Sequence, residues 1–254
     1  MDYVKMPTPL VVLGVMYGVF AGFHIVVYLK DGYWRGILTA IARTIFTNKL
    51  KLLLFLCVTA LVIEFIDWRV SNLCKTLYNV DVYTATDFVN SMGEGWFVSG
   101  ILFTIAIILD FINRKKDAIC FRIAFMTSIF AGLVNGVLKF IFNRERPVIG
   151  MDEWHFFHFF ITGANTLSGL MYAYNSMPSG HTITVLSSVT VLYLYSQSSK
   201  AKAILILLAL AICYARVYTM NHWFSDVFVS TVIGIMIGRI SYRLNKYRFN
   251  HGVK

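Results

Sequence analysis

Long apolar runs broken by short polar clusters dominate the chain. Runs of membrane-crossing character extend from Leu50 to Trp68, Trp96 to Ile112, Ile119 to Phe142, His181 to Tyr195, Ala203 to Tyr218 and Phe224 to Leu244, with a further one from Pro9 to Leu29. A helix needs roughly 20 residues to cross the hydrocarbon layer, so several runs reach across only when their polar ends are counted. The pattern predicts an all-α integral membrane protein: a six-helix transmembrane core over 50–254, preceded at 1–49 by an additional N-terminal transmembrane helix and an interfacial segment. The first run lacks a basic n-region before it and a small-residue cleavage pattern after it, which argues for retention.

Composition agrees with the pattern. Hydrophobic residues make up 57% of the 254 positions and charged residues 14%, and the mean hydropathy is +0.66, more apolar surface than a soluble domain of this size buries. Sixteen of the 23 Lys and Arg fall on one side of the predicted crossings, in 30–51, 113–122, 198–202 and the tail. The positive-inside rule makes that side, and the C-terminus, cytoplasmic in a multi-pass plasma (inner) membrane protein. The formal charge of +10 is then assigned to anionic lipid headgroups, not to nucleic acid. Ile37 to Phe46, flanked by Arg35, Arg43 and Lys49, suits the cytoplasmic interface.

The five Trp near helix ends suit aromatic belts, and the four Cys suggest neither a disulfide framework nor a metal cluster. Glu64, Asp67 and Arg69 suit a solvated helix end, and Arg144 with Glu145 suits an interfacial pair. His24 reads as a hydrogen-bonded or interface-facing histidine, and His155 and His158 as part of an interfacial aromatic segment.

Seven basic residues remain on the opposite side, among them Lys139, Arg144, Arg146 and Arg216. Three polar stretches emerge there together, "KFIFNRERP", "PSGH" and "RVYTMNHWFSD". Phosphoryl transfer requires an in-line nucleophile and positive charge around three equatorial oxygens. Lys139, Arg146 and Arg216 supply such a field, with the arginine forks able to bind two oxygens at once. "PSGH" opens a helix whose free N–H groups favour an anion, and Gly180 permits close approach to the backbone. Asp226 stands four residues after His222, a spacing that lets it hold the imidazole in one tautomer.

These blocks resemble the signature of the type 2 phosphatidic acid phosphatase family of lipid phosphate phosphatases. Lys139, Arg146 and Pro147 match its first block, Pro178, Ser179, Gly180 and His181 its second, and Arg216, His222 and Asp226 its third, where Ala215 replaces the usual Ser. The resemblance spans Leu50 to Leu244 and leaves the first helix outside. It implies His222 as nucleophile, forming a phosphohistidine, His181 as general acid, and phosphate binding by Lys139, Arg146, Arg216, Ser179 and Gly180. No carboxylate cluster of metal-ligand type accompanies the blocks, so no cofactor and a metal-independent reaction are expected.

The substrate so implied is a phosphorylated or diphosphorylated lipid at the external face. Phosphatidylglycerophosphate, phosphatidic acid, polyprenyl diphosphate and phosphorylated lipid A all fit, with the aromatic stretch Trp154 to Tyr174 beside the chains. A phosphotransferase passing phosphate to a lipid acceptor, and a non-enzymatic transporter, are the rival readings. Because Arg144 lies off the motif positions, Arg144→Ala is expected to be milder than Arg146→Ala or Arg216→Ala.

Overall fold

The computed structural model describes residues 33–149, 156–157 and 174–251, together with 18, 21–22 and 25–26. Among these the chain forms α-helices α1 (Tyr33–Thr47), α2 (Lys49–Val62), α3 (Trp68–Thr76), α4 (Val80–Met92), α5 (Gly95–Phe111), α6 (Lys115–Phe142), α7 (Gly180–Tyr195), α8 (Ser199–Tyr218) and α9 (Phe224–His251). A π-helical turn, Ile63–Asp67, joins α2 to α3 without a break. Most of the expected first crossing, with His24, and also Trp154, His155 and His158 lie outside the described residues; within that run Ala21 and Ile25 are helical and pack against the main core.

The all-α membrane architecture expected from hydropathy is the one adopted. Helices α6, α8 and α9 are each long and apolar enough to cross a membrane, and α4 with α5, bent by 55° at Gly93–Glu94, make a fourth span if they are one. One expected crossing is built differently: the run from Leu50 continues through the π-turn to Thr76, whereas α7, 16 residues long, covers the expected run from His181 to Tyr195. Helix α4 was not anticipated; Asn79 caps it, its side chain accepting from the N–H groups of Asp81 (2.9 Å) and Val82 (3.1 Å) and so satisfying donors that a helix start leaves orphaned.

The core lies between α5, α6, α7 and α9, where Phe103, Ile123, Met126, Ile183, Val191 and Ile237 are fully or almost fully buried. Helix α1 docks on it through Ile37 and through Tyr33, whose hydroxyl lies 2.9 Å from Thr127 Oγ1 and 2.6 Å from Ser241 Oγ. Many large apolar side chains face outward, among them Leu50, Leu54, Phe111, Leu207 and Leu210. Such a surface requires hydrocarbon around it.

Helix α7 contacts α9 most closely, because Gly234 and Gly238 let their backbones approach. A Cβ on Gly238 would stand 2.5 Å from the Ser187 carbonyl oxygen and 2.6 Å from Thr190 Cβ; one on Gly234 would stand 3.0 Å from the Ile183 carbonyl. Small residues four apart serve this purpose where lipid removes the hydrophobic drive between helices. Gly238→Ala should therefore overpack the contact and cost about 1 to 3 kcal/mol, read as a lowered thermal midpoint in detergent. Gly136→Ala, where nothing lies within 4 Å, is the control expected to leave the midpoint in place.

Candidate active site

The three polar stretches meet at one end of the bundle because each marks a helix terminus. Lys139 sits in the last turn of α6, which Asn143 closes in the left-handed conformation (φ 36°), a role Asn fills more readily than branched residues. The chain then turns through Arg144, Glu145, Arg146 and Pro147, all buried. Ser179 precedes the first turn of α7, and Arg216 occupies the last turn of α8. The Val148 N–H donates to the Met220 carbonyl (3.2 Å), tying the loop after α6 to the one before α9. Arg146 Nη1 lies 3.2 Å from the Asn221 carbonyl, next to His222.

Lys139, Arg146 and Arg216 all lie close enough to both His181 and His222 to act on their charge. Lys139 Nζ donates to the Asn175 carbonyl (2.8 Å) and Arg216 to the Asn90 side chain from α4. The Ser179 N–H donates to Ser230 Oγ (2.6 Å), whose hydroxyl donates to the Asp226 carbonyl (2.6 Å), so the start of α7 is fastened to the first turns of α9. Gly180 approaches a neighbouring side chain: its Cβ would lie 3.1 Å from Asn135 Nδ2. Asn135 itself is buried on α6, one turn before Lys139, and its Oδ1 accepts no hydrogen bond among the described residues.

His222 is 1% exposed and Asp226 fully buried, with Nδ1 of the imidazole 3.6 Å from Asp226 Oδ2. That separation exceeds a hydrogen bond and leaves Nδ1 without one among the described residues. Catalytic contacts of this kind tighten when substrate binds. The pair meets across the turn that enters α9, since His222 precedes the helix and is not on one of its faces. Burial first, and the Arg216 charge second, hold the His222 imidazole well below its ordinary value. The ring is thus neutral near pH 7, with a lone pair available.

Two expectations are overturned here. Arg144 does not pair with Glu145 at an interface; it is 4% exposed and reaches Asp67 Oδ2 through Nη2 and Asp226 Oδ1 through Nη1, both at 2.7 Å. Its guanidinium also lies over Phe156 (4.7 Å) and Trp223 (5.0 Å), a placement that stabilises a desolvated cation. Asp67 is not at a solvated helix end but is 2% exposed inside the bundle, while Glu64 and Arg69 beside it are exposed. The premise that Arg144→Ala would be mild falls with them. Ser176 and Ser225 were missed as well: Ser176 Oγ donates to Asp226 Oδ2 at 2.5 Å, and Arg144 Nη1 donates to Ser225 Oγ at 2.7 Å. The one available signal was position, since Ser176 stands two residues before "PSGH", Ser225 directly before Asp226, and Arg144 inside the first block.

Comparison with known proteins bears on this constellation. The family description "PAP2 superfamily" matches residues 121–250, about half the chain, and the chain belongs to that superfamily. Among solved structures it is similar to LpxE of Aquifex aeolicus, at 25% identity and a TM-score of 0.54, over 70% of this chain and 95% of that one. It is also similar to a transmembrane PAP2 type phosphatidylglycerolphosphate phosphatase from Bacillus subtilis, at 17% identity and a TM-score of 0.59, over 77% of this chain and 94% of that one. The second likeness is one of fold. Among curated proteins, none matches significantly.

Proposed function

We propose that this protein is an integral membrane lipid phosphatase that hydrolyses a phosphate or diphosphate group on the external face of the membrane. The observation that carries the reading is the convergence of Lys139, Arg146 and Arg216 on two histidines, one of them backed by a buried carboxylate. His222 Nε2 attacks phosphorus as the bond to the leaving oxygen breaks, and His181 delivers a proton to that oxygen. Nδ1–H faces Asp226, which offsets the positive charge that grows on the imidazole. The three cations and the N–H groups at the start of α7 hold the equatorial oxygens. Water then attacks the phosphohistidine, passes a proton to His181 and releases inorganic phosphate. A chain-anchored lipid phosphate, of which phosphatidylglycerolphosphate is one, suits a site at helix ends where the head enters and the tails stay in the bilayer.

The test is phosphate release from a panel of single lipids by purified protein in detergent. Release with no acceptor present, unchanged by chelator and inhibited by vanadate, is the expected result; turnover only with an added lipid acceptor would make the protein a phosphotransferase, and dependence on an added divalent cation would overturn the mechanism. Sidedness is read by cysteines placed at exposed Ile149 and Lys115 after replacement of the native four. An impermeant thiol reagent added outside should label the first and spare the second, and the reverse would put the site in the cytoplasm.

A further inference from the structure

Asp67 belongs to none of the motif blocks, yet it is bonded into the group behind His222. Its Oδ1 accepts the Ser225 N–H (2.7 Å), and its Oδ2 accepts both the Ser225 hydroxyl (2.5 Å) and Arg144 Nη2 (2.7 Å). The helix that carries it is wound to put it there. Buried Thr59, Ile63, Asp67 and Ser71 recur every four residues, a step that overshoots an α-helical turn by about 40°. The π-turn Ile63–Asp67 takes more residues per turn and offsets that drift, so Asp67 stays on the buried face while Glu64, Phe65 and Ile66 remain exposed. Such turns inside α-helices concentrate at functional sites.

Arg144 gives one nitrogen to each carboxylate. Asp226 Oδ1 takes Nη1, which leaves Oδ2 to the Ser176 hydroxyl (2.5 Å), the Trp223 N–H (2.9 Å) and the imidazole of His222. One guanidinium between two carboxylates leaves a net negative charge behind a histidine that Arg216, Lys139 and Arg146 face from the other elements. With Asp67 neutral, Arg144 would face Asp226 alone and cancel the charge on which the attacking imidazole draws.

We propose that Asp67 is a positioning residue for the nucleophile: it holds Arg144 on Oδ1 of Asp226 and offsets its charge, so that Oδ2 keeps its full carboxylate character for Nδ1–H of His222. This rests on His222 as the attacking group. The test uses the full chain in detergent, with dilauroyl phosphatidic acid micelles and nitrophenyl phosphate as probes. Asp67→Asn keeps the shape and leaves Arg144 paired with Asp226, so the fold should survive.

The expected result is a fall in kcat of roughly tenfold or more on both probes with KM unchanged within about twofold. The acid limb of kcat/KM should move to lower pH, because one negative charge fewer acts on the imidazole, and Asp67→Glu should restore part of kcat. In an Arg144→Gln background the same change should cost no more than about threefold further, since residues in one network are not additive. A rise in KM alone, an unmoved acid limb beside a lowered thermal midpoint, or additive losses would overturn the proposal. His222→Ala is assayed in parallel; wild-type turnover there would show that the nucleophile assignment has failed and not the Asp67 contact alone.

Discussion

Arg144→Ala should cost most of the activity and, unlike Arg146→Ala or Arg216→Ala, should also destabilise the fold. Its removal leaves Asp67 and Asp226, 2% and 0% exposed, buried without the cation that each bonds at 2.7 Å. Breaking a buried ion pair by deleting one partner costs about 3 to 5 kcal/mol, and the packing of the guanidinium over Phe156 and Trp223 is lost too. Arg146 and Arg216 act on the charge of both histidines, so their loss should fall on the transition state, where one oxyanion-type contact contributes about 3 to 4 kcal/mol. Thermal midpoints in detergent separate the two kinds of damage. If Arg144→Ala melts with the wild type and retains more phosphate release than Arg146→Ala, the bridge between the two carboxylates is not what holds the site.

The two histidines should respond differently to the leaving group. Loss of the attacking nitrogen in His222→Ala removes the covalent route for every substrate alike. A general acid matters in proportion to the basicity of the departing oxygen. His181→Ala should accordingly lose far more kcat/KM on a phosphomonoester lipid than on nitrophenyl phosphate, with a diphosphate lipid between them. Uniform loss at His181 and leaving-group dependence at His222 would exchange the roles. The pH profile adds an independent reading: neutral imidazole is the attacking form, and burial with the Arg216 charge depresses its protonation. Activity should therefore persist as pH falls through the ordinary histidine range and decline only below it. An acid limb at that ordinary value would place a different group in the role.

Hydropathy gave the long helices because each must present apolar side chains around most of its circumference, and the motif blocks were legible because each marks a helix end at a fixed distance from its neighbour. Helix α4 escaped because "VDVYTATDFVNSM" is short and carries Asp81 and Asp87 among its apolar positions. The π-turn escaped because an extra residue inside a run of Val, Ile and Phe changes no periodicity that a short window detects. Arg144 pairs in sequence with Glu145, its neighbour, whereas its partners in space stand 77 and 82 positions away. Asp67 groups in sequence with Glu64 and Arg69, which are exposed; only the winding between them turns it inward. Local spacing carries no record of such distant pairings.

Asp67 and Asn90 both precede the stretch that the superfamily match covers, yet each binds an arginine of the site. A chimera that grafted residues 121–250 onto the N-terminal half of another relative would carry over both histidines, Lys139, Arg146 and Arg216. It would not bring the Asp67 carboxylate that Arg144 binds or the Asn90 amide oxygen that Arg216 binds. The donor half would have to supply an acid on a π-wound helix and an amide near the end of a short helix that meets the next at a bend. The smallest exchangeable unit of this protein is therefore larger than the part of it whose ancestry is easiest to read.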